Sequence, residues 1–249
     1  MCMKKILFVL MLCVSMVACK KHEIEDVETT PMVTISFDQQ IVTSNSMVRS
    51  TTNEFLDIIE EQTPDYVNVT LKNLDLNKTY TCKSNETITI PVGNYEISSL
   101  NESNVYSSVS YGRKFSLPQL KGNTFNSTIN NSTKTITLNV YYNCFAVFAL
   151  IDECKSVSCP ESIGSNKYIS FGKHGKYYVS YFQNGCEVNI IPYDNSNDFI
   201  STSYTFSTTY DVNKVYAEYG KYYVIHPQKV DKTTSSFELV LPDMIEGNI

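Results

Sequence analysis

An apolar leader precedes a long series of short alternating segments. Residues 6–17 (ILFVLMLCVSMV) form an apolar run that follows Lys4 and Lys5 and ends at Ala18 and Cys19. A basic start, an apolar stretch of about 7–15 residues and a small residue at the end are typical of a secretory signal. The run is too short for a transmembrane helix, which needs about 20 apolar residues. We therefore predict that residues 1–18 are a signal peptide.

The cysteine at the end of this leader suggests a lipid anchor. Residues 16–19 (MVAC) resemble the bacterial lipobox. That resemblance implies that Cys19 carries a diacylglycerol on its sulfur and becomes the new N-terminus. The alternative is an ordinary secreted protein with a chance cysteine at the cut. Several acyl chains anchor a protein stably, whereas one chain gives only marginal binding, so we predict the membrane as a partner through Cys19.

Residues 19–31 predict a lipidated tether, because they are charged, poor in apolar residues and without a period. The acidic residues 23–28 resemble the stretch that directs many Bacteroidetes-type lipoproteins to the outer face. Lys20 and Lys21 come between that stretch and Cys19, so the alternative is retention on the inner leaflet of the outer membrane. We predict an outer-membrane lipoprotein at the cell surface, with the leaflet left open. A net charge of −6 and a pI near 5.1 argue against a nucleic-acid partner.

The remainder alternates with the period of β-strands. In residues 32–37 and 66–72 every second residue is apolar, so the apolar side chains share one face of a strand. Val67, Val69 and Leu71 are predicted to point inward. Further predicted strands cover 86–91, 95–100, 134–142, 168–173, 176–182, 186–192, 203–208, 222–226 and 236–241. One helix is predicted from Asn53 to about Gln62. The fold class is therefore all-β: two β-sandwich domains with one short helix, at residues 32–143 and 144–249.

Two segments refine this prediction. Residues 144–151 (CFAVFALI) are continuously apolar, so they form either a strand buried on both faces or a bulge that switches faces. Residues 168–192 predict a meander with turns at His174-Gly175 and Asn184-Gly185. Asn-Gly between alternating strands is a strong hairpin signal.

The candidate chemistry is sparse. Five cysteines follow Cys19; an exported compartment permits disulfides, and Cys154 and Cys159 could close a small loop. Cys144 is interpreted as a buried thiol. His174 and His226 have no second ligand at metal spacing, and residues 194–198 (DNSND) match a calcium loop only in part, so a polar loop is favoured. No catalytic motif is found, and we predict no enzymatic activity, no metal and no cofactor.

Tyrosine is the compositional exception, with 18 residues against no tryptophan. In a doublet such as Tyr222-Tyr223, one side chain must point out of the sheet. Outward tyrosines could stack on sugars or anchor a protein, and we name Tyr178, Tyr181 and Tyr223 as binding candidates. The alternative is the ordinary preference of tyrosine for strands.

Several segments together resemble the fimbrillin-type and related lipoproteins of Bacteroidetes. They are the lipobox with Cys19, VTISF, IPVGNYEIS, ITLNVYYNCFAVFAL and the closing GKYYVIHP and SSFELVLPDMIEGN, that is residues 33–37, 90–98, 136–150, 220–227 and 235–248. The resemblance implies two transthyretin-like domains. It also implies a subunit that polymerises after an arginine-specific protease removes its first strand. Arg49 lies between the first strand and the helix, where such a cut would fall; the alternative is a lone arginine in a Ser/Thr loop.

Three functions follow as hypotheses. The first is a surface lipoprotein with a structural or adhesive role, in its specific form a fimbria-like subunit whose partners are other copies or related subunits. The second is a monomeric lipoprotein that binds a surface glycan or host protein through tyrosines. The third and least favoured is a hydrolase with two facing carboxylates.

Overall fold

The computed structural model describes residues 30–42, 54–101, 106–193, 199–229 and 245–248. Residues 32–249 form one compact unit. The all-β class with one short helix is confirmed: the helix is α1 (Glu54–Gln62), and the other described residues form strands, turns and loops. The strands up to the middle of the chain are β1 (Met32–Ile41), β2 (Asn68–Asn73), β3 (Lys78–Lys83), β4 (Ile88–Pro91), β5 (Gly93–Leu100), β6 (Tyr106–Val109), β7 (Gly112–Phe115), β8 (Leu120–Gly122), β9 (Phe125–Ile129) and β10 (Thr135–Tyr142).

The strands that follow are β11 (Phe145–Leu150), β12 (Cys154–Pro160), β13 (Tyr168–Ser170), β14 (Gly172–His174), β15 (Tyr177–Gln183), β16 (Gly185–Pro192), β17 (Phe199–Ile200), β18 (Thr202–Ser207), β19 (Val215–Tyr216), β20 (Lys221–Ile225), β21 (Gln228–Lys229) and β22 (Ile245–Asn248). The predicted strand at residues 236–241 lies outside the described residues. β17 and β21 pair only with each other.

The first lobe comprises β1–β5 and β8–β10. These strands form one eight-stranded sheet in the order β3-β2-β5-β8-β10-β1-β4, with β9 paired to β5. Side chains from β2 and β5 share a core with side chains from β1 and β10, so the sheet curves around its own interior. Val67, Val69 and Leu71 are fully buried, as the alternation predicted.

The second lobe is a sandwich of two sheets. The helix-side sheet has the order β22-β20-β11-β15-β7-β6, with β14 on β15, and the outer sheet has the order β13-β12-β16-β18-β19. The core between them is aromatic: the ring of Phe145 stacks on Phe182 with centroids 5.8 Å apart and meets Phe206 at 5.9 Å. The opposite face of the helix-side sheet packs against α1.

The helix-side sheet is therefore buried on both faces, which decides between the two interpretations of residues 144–151. Phe145 and Val147 point into the sandwich core, whereas Ala146 and Phe148 point toward α1. The strand buried on both faces is confirmed. α1 supplies the cover through its apolar side, with Ile59 only 1% exposed.

The predicted meander is confirmed at its first turn, where β14 and β15 pair antiparallel around Gly175, and is wrong at its second. β15 belongs to the helix-side sheet and β16 to the outer sheet, so Asn184-Gly185 links two sheets and closes no hairpin. Asn184 has φ 68°, and a Cβ on Gly185 would lie 2.5 Å from the carbonyl oxygen of Phe206. Asn184 is thus suited to its left-handed backbone conformation, and Gly185 to its close contact with the backbone of Phe206. The segment predicted as one strand at 168–173 likewise divides at Phe171 between the two sheets.

The β6–β7 hairpin belongs to the second lobe, although it lies in the first half of the sequence. β6 and β7 pair with each other, and β7 pairs with β15 through Tyr181 and Phe115. The chain passes from β10 to β11 at Asn143-Cys144. The division into domains at 143 and 144 stays a prediction.

Candidate functional site

β1 is an interior strand of the first lobe. Met32–Ile35 pair antiparallel with β4, and Ser36–Ile41 pair in parallel with β10. Val33 and Ile35 point into the core and are 7% and 1% exposed. Among the described strands, β4 pairs with β1 alone. Removal of β1 would therefore leave unpaired backbone on both neighbours and two empty apolar positions.

Outward side chains of β1 tie it to the same two neighbours. The Thr34 and Thr89 hydroxyls lie 2.7 Å apart on the β4 side, and the Ser36 hydroxyl donates to the Lys134 carbonyl at 3.2 Å. The backbone N–H of Val42, the first residue after β1, donates to the Val140 carbonyl at 2.8 Å. β1 is thus held along its whole length by hydrogen bonds of ordinary length.

Two of the named sequence sites fall outside the described residues: the lipidation site Cys19 and the processing site Arg49. The only other arginine of the chain is Arg113. Arg113 lies in β7, paired with Ser108 of β6 on one side and Gln183 of β15 on the other. Since both backbone edges of β7 are occupied, a protease cannot bind this bond in extended form without local unfolding.

The three tyrosines named as binding candidates are buried, so the prediction that they form a surface is wrong. Tyr178, Tyr181 and Tyr223 are 5%, 0% and 1% exposed. Tyr178 and Tyr223 face the sandwich core, and Tyr181 lies beneath α1. In a sheet covered on both faces, neither member of a tyrosine doublet reaches solvent. Two features of the sequence indicate this burial: β11 is continuously apolar, and an amphipathic helix is available to cover the sheet.

The tyrosines beneath α1 fix the helix through polar contacts at its C-terminal end. The Tyr181 hydroxyl donates to the Gln62 Oε1 at 2.7 Å, and the Gln62 Nε2 donates to the His174 Nδ1 at 3.0 Å. His174 then donates from Nε2 to Glu61 at 3.1 Å. Burial raises the pKa of Tyr181 far above its usual value. His174 is therefore a structural link between sheet and helix.

The N-terminal end of α1 is tied to the same sheet. The Lys176 ammonium contacts the Glu54 carboxylate at 2.8 Å, and the Tyr177 hydroxyl donates to the same carboxylate. Hydrogen bonds from Lys176 and Tyr177 hold the pKa of Glu54 below its usual value. His226 makes a comparable pairing elsewhere, with its Nδ1 2.7 Å from Glu153.

The proposed disulfide is wrong, because Cys154 and Cys159 are both free. They lie in one strand, β12, where five residues span about 16 Å at about 3.3 Å each. A disulfide needs Cα atoms within about 7 Å. Both thiols face the sandwich core, and burial raises the pKa of Cys154 to about 12 and of Cys159 to about 11. Cys144 is buried as predicted, and burial raises its pKa to about 12.

A groove opens where the two lobes meet; we call it the interlobe groove. It has a volume of about 380 Å³ and no sequence pattern pointed to it. Its walls come from the end of β1, the β8–β9 turn, the end of β10 and the turn before β20: Val42, Lys121, Asn123, Tyr141, Tyr142, Asn143, Tyr219 and Gly220. Tyr141 and Tyr219 are 37% and 40% exposed. Two exposed tyrosines are thus at the lobe junction, while Tyr168, Tyr193 and Tyr210 are exposed outside the groove.

The described residues contain no cluster of three or more His, Cys, Asp or Glu side chains able to hold a metal. Within the same residues, no helix is long and apolar enough to cross a membrane. The partial calcium-loop match at residues 194–198 lies outside the described part of the chain.

No protein-family model and no curated protein matches the sequence. Among solved structures, the chain is similar to the tip fimbrial protein Mfa3 of Porphyromonas gingivalis, at 7% identity and a TM-score of 0.43, over 88% of this chain and 98% of that one. It is also similar to a fimbrial assembly protein of Parabacteroides distasonis, at 12% identity and a TM-score of 0.40, over 80% and 96%. A shaft pilin SpaA variant of Lactobacillus rhamnosus shares 10% identity at a TM-score of 0.34, over 71% and 93%.

Two of these neighbours are fimbrial proteins, the kind of protein that the sequence resembles. The identities are low and the TM-scores lie below 0.5.

Proposed function

We propose that this protein is a lipid-anchored, non-enzymatic surface protein with a structural or adhesive role, and specifically a fimbria-like subunit with β1 as a removable strand. The leader and Cys19 supply export and anchoring to the outer membrane, and residues 19–31 supply the tether. Its partners are the membrane and other copies or related subunits. Division into domains at 32–143 and 144–249 belongs to the same proposal.

The observation that carries the proposal is the place of β1 in the first lobe. Because β1 precedes the other described elements along the chain, a cut after it can release β1 while those elements stay covalently connected. Its departure would expose the edges of β4 and β10 along ten residues. A strand from another subunit could then pair with the same edges and fill the positions of Val33 and Ile35, as in β-strand addition generally.

The arginine content makes the cut selective. Arg49 follows β1 and precedes α1, while Arg113 is held in β7 between two strands. An arginine-specific protease acting on the folded chain is therefore expected to cut at Arg49 alone. α1 would stay with the larger product, because Glu54 lies after the cut and its contacts to Lys176 and Tyr177 do not involve β1.

The test is the size distribution of residues 20–249 before and after an arginine-specific protease, measured by light scattering and mass spectrometry. We expect one cut, release of residues 20–49 and a ladder of stable oligomers. Arg49→Lys is the matched control and should stay uncut and monomeric, whereas Arg113→Lys should behave as the wild type. A cut chain that remains monomeric, or retention of β1 after the cut, would refute polymerisation by this route.

A further inference from the structure

The interlobe groove has the chemistry of a ligand site. Small-molecule sites usually have volumes of about 300–1,000 Å³ and often lie between domains, and the groove has about 380 Å³. Its walls combine tyrosine rings with amide groups and one ammonium group.

Two tyrosines of the groove are held by their hydroxyls. The Tyr219 hydroxyl donates to the Asn184 Oδ1 at 3.1 Å and accepts the Asn184 backbone N–H at 3.2 Å. The Tyr141 hydroxyl accepts the Asn123 amide at 3.4 Å. Both side chains remain more than one third exposed. A tyrosine fixed at its polar tip presents an apolar ring to solvent, which suits stacking against the C–H face of a sugar.

An amide in the same wall supplies hydrogen-bonding capacity. The backbone of Asn143 is fully engaged: its N–H donates to the Gln119 carbonyl at 2.7 Å, and its carbonyl accepts the Gln183 amide at 2.8 Å. No hydrogen bond within the described part of the chain engages the Asn143 side-chain amide. An amide donates and accepts, as recognition of neighbouring sugar hydroxyls requires.

The charge of the groove selects among saccharides. Lys121 and Tyr141 are direct cross-strand partners of β8 and β10, so their side chains share a face with Cβ atoms about 5 Å apart. No carboxylate lines the groove, and Lys121 has no ion-pair partner among the described residues. In a chain of net charge −6, this wall carries a single uncompensated ammonium. An anionic group on the ligand would make a charge-assisted hydrogen bond there.

We propose that the interlobe groove binds a short saccharide that carries a carboxylate. Tyr141 and Tyr219 stack on its rings, Asn143 bonds its hydroxyls and Lys121 pairs with its carboxylate.

The test is a calorimetric titration of residues 20–249, uncleaved, with sialyllactose and trigalacturonate as acidic probes. Lactose and galactotriose are the matched neutral probes. We expect saturable binding of an acidic probe, at least about 10-fold tighter than its neutral partner at low salt, and weaker at high salt because exposed charges are screened. Saturable binding of neither acidic probe would overturn the proposal.

Variants assign the contacts. Lys121→Gln should remove the preference for the acidic probe, so that the ratio of acidic to neutral affinity falls to about 1. Tyr141→Ala should weaken binding of both probes at least about 10-fold, the factor that corresponds to about 1.4 kcal/mol. Tyr168→Ala is the matched control, since Tyr168 is 57% exposed but lies in the outer sheet. Circular dichroism checks that each variant folds. Unchanged preference in Lys121→Gln, equal loss in Tyr168→Ala, or tighter binding of a sugar phosphate than of either carboxylate would each overturn the assignment.

Discussion

Replacement of Ile35 by alanine tests whether β1 is held by its inward side chains. Ile35 is 1% exposed, lies opposite Ile88 of β4 and packs in the core of the first lobe. Removing a buried isoleucine side chain loses its transfer free energy and leaves a cavity, at a cost of about 2–5 kcal/mol. Because Ile35 packs in a core shared with β2, β5 and β10, which limits collapse of the cavity, we expect about 3–4 kcal/mol, within that range.

The matched control is Thr34→Ala, one residue earlier in the same strand. Thr34 points outward, and its one side-chain contact, with the Thr89 hydroxyl, is exposed. An exposed hydrogen bond of this kind contributes about 1 kcal/mol or less. A one-residue difference in register would exchange the two faces of the strand, so the pair of variants reports the register directly.

Urea unfolding followed by far-ultraviolet circular dichroism measures both variants, since the chain has no tryptophan to follow by fluorescence. With a slope of about 3 kcal/mol/M, the expected loss in Ile35→Ala shifts the midpoint by about 1 M. Thr34→Ala should shift it by about a third of that or less. Equal small shifts in both variants would contradict the burial of β1, and a larger loss in Thr34→Ala would show that the register is reversed.

Two further predictions concern buried groups. All five cysteines after Cys19 are free: Cys82, Cys144, Cys154, Cys159 and Cys186. We therefore expect five reactive thiols in urea without reductant. In the native protein at pH 8 we expect at most slow reaction of the half-buried Cys82, because burial raises its pKa to about 11. Fewer than five thiols in urea would show a disulfide that the structure lacks. Lys114 is 9% exposed, and burial lowers its pKa. Between the pKa of Lys114 in the folded protein and that in the unfolded chain, the unfolded chain binds more protons. The free energy of unfolding should therefore rise with pH in that window. Lys114→Met should therefore raise stability at neutral pH, because no ammonium is buried, and should flatten the rise of stability with pH below the pKa of an unfolded lysine. An unchanged pH slope in this variant would contradict the burial of the ammonium.

The alternation of apolar residues was sufficient for many individual strands. Val67, Val69 and Leu71 lie inward because a strand with one face in water has a strict two-residue period, which the sequence shows directly. The helix at residues 54–62 was equally visible from its apolar side. The pattern could not give the pairing partners, since Asn184-Gly185 is compatible both with a hairpin and with a link between sheets.

The binding candidates show the same limit. Tyrosine doublets suggested an exposed aromatic face, because one member of each must point away from a core that covers one side of a sheet. α1 covers the second side, so Tyr181 and its neighbours are buried, while Tyr141 and Tyr219 reach solvent at a junction formed by residues far apart in sequence.

The sequence by itself determined local properties: a leader ending at Cys19, the periods of the strands and the helix, and the scarcity of catalytic motifs. Each of these depends on neighbouring residues and needs no knowledge of the fold. The tertiary structure decided which sheets stack, where α1 lies, why Cys154 and Cys159 cannot bond, and where a groove opens. Those features depend on contacts between distant segments, whose free energy comes from burying whole faces against each other, and no local pattern specifies the partner.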